Sequence, residues 1–336
     1  MDRGQLIEIQ ALRAFAALAV VAYHAADRAG SAFGVGAAGV DVFFVISGFI
    51  MMTVTAARPT TPLRFAWNRI SRIVPLYWLV TLALVGLALV LPAAMPNLQA
   101  SPDRVVQSLL FIPHRDPAGQ IFPVLVPGWT LNFEMFFYAL FAAALVLPRS
   151  AQLAAITAMM LGLVGLGVLL RPDGAVAATY TSPMLLEFLA GIWLAQLRLR
   201  GRLPRRQIGL AMLALGLAAY AALQATRTYS DAWRVVLWGG PALLIVAGTL
   251  AAAPALRPGL AKRLGDASYS IYLLHPLLVG VVWRFVGWLP APGFLLASLL
   301  VSALAGLACF TLLEQPLTEA LKRRRRSASP SRLRAA

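Results

Sequence analysis

Apolar stretches follow one another along almost the whole chain, each long enough to cross a bilayer at roughly 17 to 25 residues, with no soluble-looking block between them. Such a pattern reads as consecutive transmembrane helices. With 60% of its 336 residues apolar and only 12% charged, the chain is excluded from both the soluble globular and the disordered classes. Runs of low charge bounded by Pro, Gly or basic residues predict ten spans: Ile7 to Ala25, Val40 to Ala56, Ile73 to Leu91, Trp129 to Leu147, Leu153 to Leu170, Pro183 to Leu197, Ile208 to Ala225, Val235 to Ala252, Ser268 to Trp288 and Phe294 to Leu313. The fold class is all-α, a polytopic membrane protein of about ten helices at roughly 20 residues each.

A net charge of +16 suggests nucleic acid at first sight, but the positions of the basic residues decide otherwise. If the N-terminus is cytoplasmic, alternate loops and the two ends on that side carry 21 of the 29 Lys and Arg, against seven on the other side. Cytoplasmic loops are enriched in these residues, so both termini are expected inside and no nucleic-acid partner is implied. The expected site is the cytoplasmic (inner) membrane. Residues 1–316 read as one membrane domain. Residues 317–336 read as a basic cytoplasmic tail, expected to be disordered and attracted to anionic lipid.

Arg13 and His24 sit inside the first run, which argues against a cleaved signal peptide. The segment from Pro92 to Gly128 is Pro-rich, and a short amphipathic piece around Val105 to Phe111 makes it a candidate lid. No internal repeat of the kind built into many transporters is evident. Cys309 is the lone cysteine, so no intrachain disulfide forms.

Ionisable side chains are expensive in hydrocarbon and turn toward a bundle interior, so they mark candidate sites. Arg13 and His24 lie about 20° apart around a helix and about 16 Å apart along it, sharing a face at different depths. Asp41 falls at a depth similar to His24. Ser47 and Gly48, at mid-membrane in the second run, read as close-packing residues. Arg69 and Arg72 share a helix face at i and i+3, and guanidinium forks suit phosphate. Their plainer reading is the ordinary cytoplasmic basic cluster. Trp129 opens the fourth run, where Glu134 and Tyr138 are one turn apart. Ser268, Tyr272 and His275 form a polar stripe ahead of Pro276. Glu187 and Glu314 complete the set. With three histidines and one cysteine, no zinc-type cluster is spelled out, and no phosphate loop, nucleophile elbow or dinucleotide turn is present, so no metal is expected.

Six stretches, IQALRAFAALAVVAYH (9–24), GVDVFFVISGF (39–49), RISRIVPLY (69–77), WTLNFEMFFY (129–138), LGDASYSIYLLH (264–275) and Glu314 to Pro316, in this order resemble the acyltransferase-3 membrane family. Its members O-acylate carbohydrates and related molecules. The resemblance implies that His24 is catalytic, that Arg13 is also required, and that Arg69 and Arg72 serve the acyl-CoA donor. Only a short tail follows the last span, so a stand-alone form without a fused soluble domain is expected.

The resulting expectation is transfer of an acyl group, most simply acetyl, from cytoplasmic acyl-CoA to a hydroxyl of a saccharide-containing acceptor. Acyl-CoA acts as co-substrate, with no tightly bound cofactor. A hydroxyl needs a base that works near neutrality, the role of His24, with Asp41 or Glu134 as its partner. Arg13 either stabilises the carbonyl or lines the thioester's route. Trp129, Tyr138, Tyr272 and His275 are further pocket candidates. The alternative is a transporter or flippase using the same buried charges as a path.

Overall fold

The computed structural model describes residues 6–94, 98, 100–228, 230, 233–252 and 259–327. Arg3, Arg257 and the tail beyond Ser327, which entered the charge argument, lie outside them. Every apolar run is helical, and among the described residues no strand occurs. In chain order the helices are α1 (Ile7–Arg28), α2 (Gly39–Ala57), α3 (Pro62–Val90), α4 (Pro102–Leu109), α5 (Gly128–Ala144), α6 (Arg149–Leu170), α7 (Ala175–Tyr180), α8 (Leu185–Leu199), α9 (Arg206–Thr226), α10 (Gly240–Ala252), α11 (Leu260–Asp266), α12 (Ser268–Val286), α13 (Ala291–Cys309) and α14 (Gln315–Ser327).

Nine helical segments among the described residues are long and apolar enough to cross a membrane. The protein is therefore a polytopic all-α membrane protein. The remaining expected span is α5, which at 17 residues is about 26 Å long, slightly short of a hydrocarbon core of about 30 Å.

Beyond shifts of a few residues at helix ends, three features differ from the sequence reading. First, α3 begins at Pro62 rather than Ile73, because the Thr61 hydroxyl accepts from the Arg64 backbone N–H and Pro62 occupies the first turn. Arg69 and Arg72, expected on one helix face, therefore stand on α3 itself, and Pro75 is accommodated within it. Second, the start of the supposedly disordered tail is helical through Ser327. A π-helical turn at Phe310–Glu314 carries α13 into α14, and Gln315 donates to Glu319 across one turn of it at 3.1 Å. Third, the lid candidate is fastened down. Trp78 Nε1 on α3 donates to the Leu109 carbonyl at 2.8 Å, and the Phe111 ring lies 4.9 Å from that of Tyr77.

Burial grades across the bundle. In α2, 72% of the membrane-length window is buried, against 17% in α6 and 11% in α9, so α2 is central and the other two face lipid. Lipid supplies no hydrophobic drive between helices, so close backbone approach does the packing. Gly48 on α2 and Gly191 on α8 make that approach reciprocally. A Cβ on Gly48 would strike the Phe188 carbonyl, and one on Gly191 the Val45 carbonyl. Beside this contact Phe188 stacks on Phe44 and Phe137 with ring centroids 4.4 and 4.6 Å apart.

Candidate active site

A cavity of about 90 Å³ lies among α1, α2, α3, α5 and α12. Its polar lining includes Arg13, Ser47, Arg69, Arg72, Glu134, Tyr138 and Tyr272. Glu134 is held from two sides: the Tyr138 hydroxyl donates to its Oε1, as does Ser47 Oγ at 3.1 Å. Arg69 stands beside Tyr138 and Arg72, and its Nε is buried without a protein partner. Arg13 is buried near Arg72, Glu134 and Glu314, and donates to Gln10 Oε1 at 3.4 Å. Glu314 accepts from Ser270 Oγ at 2.6 Å. Three guanidinium groups thus line this space with one carboxylate, Glu134, and Glu314 stands near Arg13 and Arg72, leaving a net positive lining with an unused buried donor. Such a lining attracts phosphate or a developing oxyanion.

His24 is half-buried near the far end of α1 and does not line this cavity. It reaches it through His275: the two imidazole centroids are 4.9 Å apart, and His275 lies 5.6 Å from the Tyr272 ring, which is in the lining. His275 Nδ1 donates to the Tyr272 carbonyl, which leaves the lone pair on Nε2, and that atom is buried with no hydrogen-bond partner. On the other side the Tyr23 ring lies 4.7 Å from His24.

The expected pairing of Asp41 with His24 is not what the structure contains. Asp41 is fully buried and its Oδ2 accepts from Arg234 Nη2 at 2.8 Å, an ion pair joining residues 193 apart in sequence. A carboxylate in hydrocarbon takes the strongest cation within reach, and a neutral imidazole cannot compete. The Glu187 carboxyl lies beside that of Asp41. The Arg234 guanidinium covers Trp238 at 4.4 Å and Trp129 at 6.0 Å. Trp129 therefore belongs to this second cluster and not to the cavity. Glu134, the other expected partner, is bound to Ser47 and Tyr138 instead.

Two contributors were missed from sequence. Ser47 was read as packing, as Gly48 next to it is, yet its hydroxyl faces Glu134. Arg234 was counted only among the outer basic residues. Glu314, already a candidate from sequence, closes the π-helical turn that joins α13 to α14. A second π-helical turn, Val235–Gly239, follows Arg234 directly. Such turns shift helical register locally and often accompany functional positions. Among the described residues no three His, Cys, Asp or Glu side chains gather into a metal-sized group.

A buried arginine-lined cavity and a half-buried histidine held in one helical bundle suit group transfer within a membrane, and comparison with known proteins shows an acyltransferase. Residues 6–313 match the family described as acyltransferase domain, and the chain belongs to that family. It is 44% identical over 314 residues to the exopolysaccharide production protein ExoZ of Rhizobium meliloti (strain 1021), covering 90% of this chain and 96% of that one. It is 29% identical over 371 residues to the acyltransferase MdmB of Streptomyces mycarofaciens, covering 96% and 94%. A putative membrane-bound transacylase, BcsY of Komagataeibacter xylinus, is 31% identical over 158 residues, 42% of this chain and 38% of that one. No solved structure matches.

Proposed function

We propose that this membrane acyltransferase moves an acetyl group from cytoplasmic acetyl-CoA to a hydroxyl of an exopolysaccharide sugar. In this reading the protein sits in the cytoplasmic membrane with both termini inside, supported by the bias of its Lys and Arg toward alternate loops. The observation that carries the donor assignment is the cavity in which Arg13, Arg69 and Arg72 converge with Arg69 Nε unpartnered. Phosphates of the CoA nucleotide supply the acceptors that this lining lacks. The acceptor class is supported by the similarity to ExoZ, whose name ties it to exopolysaccharide production.

In the reaction the sugar hydroxyl oxygen bonds to the thioester carbonyl carbon and the carbon–sulfur bond breaks. His24 takes the hydroxyl proton and returns it to the departing thiolate, giving an ester and CoA thiol. The His24 and His275 ring centroids are 4.9 Å apart and His275 Nε2 is unpartnered, which supports assigning His275 the role of accepting the His24 N–H in the reacting complex, with the other His24 nitrogen as base. This is the orienting role first sought in Asp41 or Glu134. Arg13, about 16 Å from His24 along α1, lines the thioester's route and does not touch the reacting carbonyl.

The test uses purified protein in nanodiscs with acetyl-CoA carrying radiolabel in the acetyl group. Oligosaccharides prepared from the exopolysaccharide of cells lacking this chain serve as acceptors. Base-labile label is expected in the sugar and is expected to disappear with His24→Ala, a variant that stays in the membrane. Transport of unmodified saccharide into vesicles without acyl-CoA, and no labelled ester, would establish the transporter alternative instead.

A further inference from the structure

A second cavity, of about 420 Å³, opens at the opposite end of α1 from Arg13, and nothing above assigns it. It is lined by Tyr23 and Asp27 of α1, Arg227 after α9, Ser230, and Arg234 and Trp238. Its volume falls within the range of small-molecule sites. We infer that this cavity is the acceptor subsite, and that it holds a pyranose ring by its hydroxyl groups. The inference rests on the reading of the chain as an O-acyltransferase and adds the acceptor's location and recognition chemistry.

Three observations carry it. The first is position. Tyr23 and Asp27 flank His24 on α1, and Asp27 is three residues on, about 4.5 Å along the axis and on a neighbouring face. A hydroxyl bound at Asp27 therefore lies within a helical turn of the proposed base. The other cavity reaches the His24–His275 pair through Tyr272, while Tyr23 of this cavity lies 4.7 Å from the His24 ring, so both cavities border the pair.

The second is chemistry. Sugar hydroxyls both donate and accept. The described lining offers two guanidinium donors, Arg227 and Arg234, one carboxylate acceptor, Asp27, and the Tyr23 ring as an apolar face. The positive charge of Arg234 is offset from behind by Asp41, so the site recognises neutral hydroxyl pairs rather than demanding an anion.

The third is preorganisation. Arg234 is clamped by Asp41 at 2.8 Å and by Trp238 at 4.4 Å, while its Nε has no protein partner. A guanidinium held before the ligand arrives loses little freedom on binding. This gives the buried Asp41–Arg234 pair a function that its structural role alone does not require.

Steady-state kinetics with acetyl-CoA and the exopolysaccharide oligosaccharides test the assignment. Arg227→Ala and Asp27→Asn are expected to raise the oligosaccharide KM at least tenfold and to leave the acetyl-CoA KM within twofold. An unchanged oligosaccharide KM in both, or a change confined to acetyl-CoA, would overturn it. A second measurement needs no acyl transfer. In Ser230→Cys, which keeps Arg227 and Asp27, compared against the unaltered chain whose Cys309 is buried, a membrane-impermeant maleimide applied from outside labels residue 230. The oligosaccharide is expected to slow labelling at least fivefold and acetyl-CoA to leave it unchanged; labelling unaffected by saccharide overturns the subsite. If the unaltered protein transfers no acetyl group while protection is seen, the transferase reading fails and the saccharide site stands.

Discussion

The His24 and His275 imidazoles lie 4.9 Å apart, one on α1 and one on α12, and the backbone bond made by His275 Nδ1 leaves a bare nitrogen between the two helices. An orienting partner should affect turnover and leave donor affinity alone. His275→Ala is expected to lower kcat roughly 100-fold, within the usual span for acid–base groups, with the acetyl-CoA KM unchanged. His275→Gln places an amide oxygen where the lone pair was and should recover a large part of the loss. Equal damage in both variants, or a loss explained by the amount of folded protein, would assign His275 a packing role only.

Arg69 presents its planar fork to the cavity with one nitrogen unpartnered. Lysine keeps the charge and loses the bidentate geometry. Arg69→Lys is expected to raise the acetyl-CoA KM about tenfold, equivalent to about 1.4 kcal/mol. Acetyl-N-acetylcysteamine, a thioester without nucleotide phosphates, separates the explanations. If Arg69 holds phosphate, variant and parent should use that truncated donor equally. A similar defect with both donors would move Arg69 to the acyl group.

The Asp41–Arg234 pair should matter more to folding than to chemistry. Asp41→Ala leaves a mostly buried guanidinium uncompensated, and breaking such a pair typically costs about 3 kcal/mol or more. Much less protein should remain monodisperse in detergent after mild heating. Adding Arg234→Met, which removes the stranded charge, should restore much of that loss. The folded Asp41→Ala protein is expected to keep its kcat at saturating oligosaccharide, and a kcat collapse would return Asp41 to the neighbourhood of His24.

Arg13, Glu134, Tyr138 and Tyr272 were legible as lining residues because a polar side chain in hydrocarbon has few places to go. Helical periodicity placed each of them within its span. Partnership was not legible. Asp41 and His24 share a depth, but depth does not fix which way a side chain turns, and Arg234 stands 193 residues from the carboxylate it binds. An arginine near a helix start also looks the same whether it faces lipid headgroups or a buried acid. Ser47 and Gly48 show a related limit. Both are small, and only the arrangement of α2 between α5 and α8 makes one a hydrogen-bond donor and the other a packing contact. The helix under Arg69 and Arg72 was legible from their i and i+3 spacing, but its start at Pro62 was not, because the residues ahead of Ile73 are too polar to extend an apolar run.

The Gly48–Gly191 approach links packing to the site, because Gly48 is adjacent to the residue that holds Glu134. Gly48→Ala forces its Cβ onto the Phe188 carbonyl, so α2 and α8 must separate. Overpacking of this kind costs about 1–3 kcal/mol. It also draws Ser47 away from Glu134, a bond of 3.1 Å. Thermal stability in detergent and kcat are therefore expected to fall together, with kcat down roughly tenfold. Gly191→Ala, meeting the Val45 carbonyl from the opposite helix, should reproduce both losses. Gly86→Ala is the contrast. A Cβ there meets nothing within 4 Å, and alanine favours the helix by up to about 1 kcal/mol. That variant should be as stable as the parent or slightly more so, with unaltered kcat. Intact activity in Gly48→Ala alongside lowered stability would show that the position of Ser47 does not limit turnover.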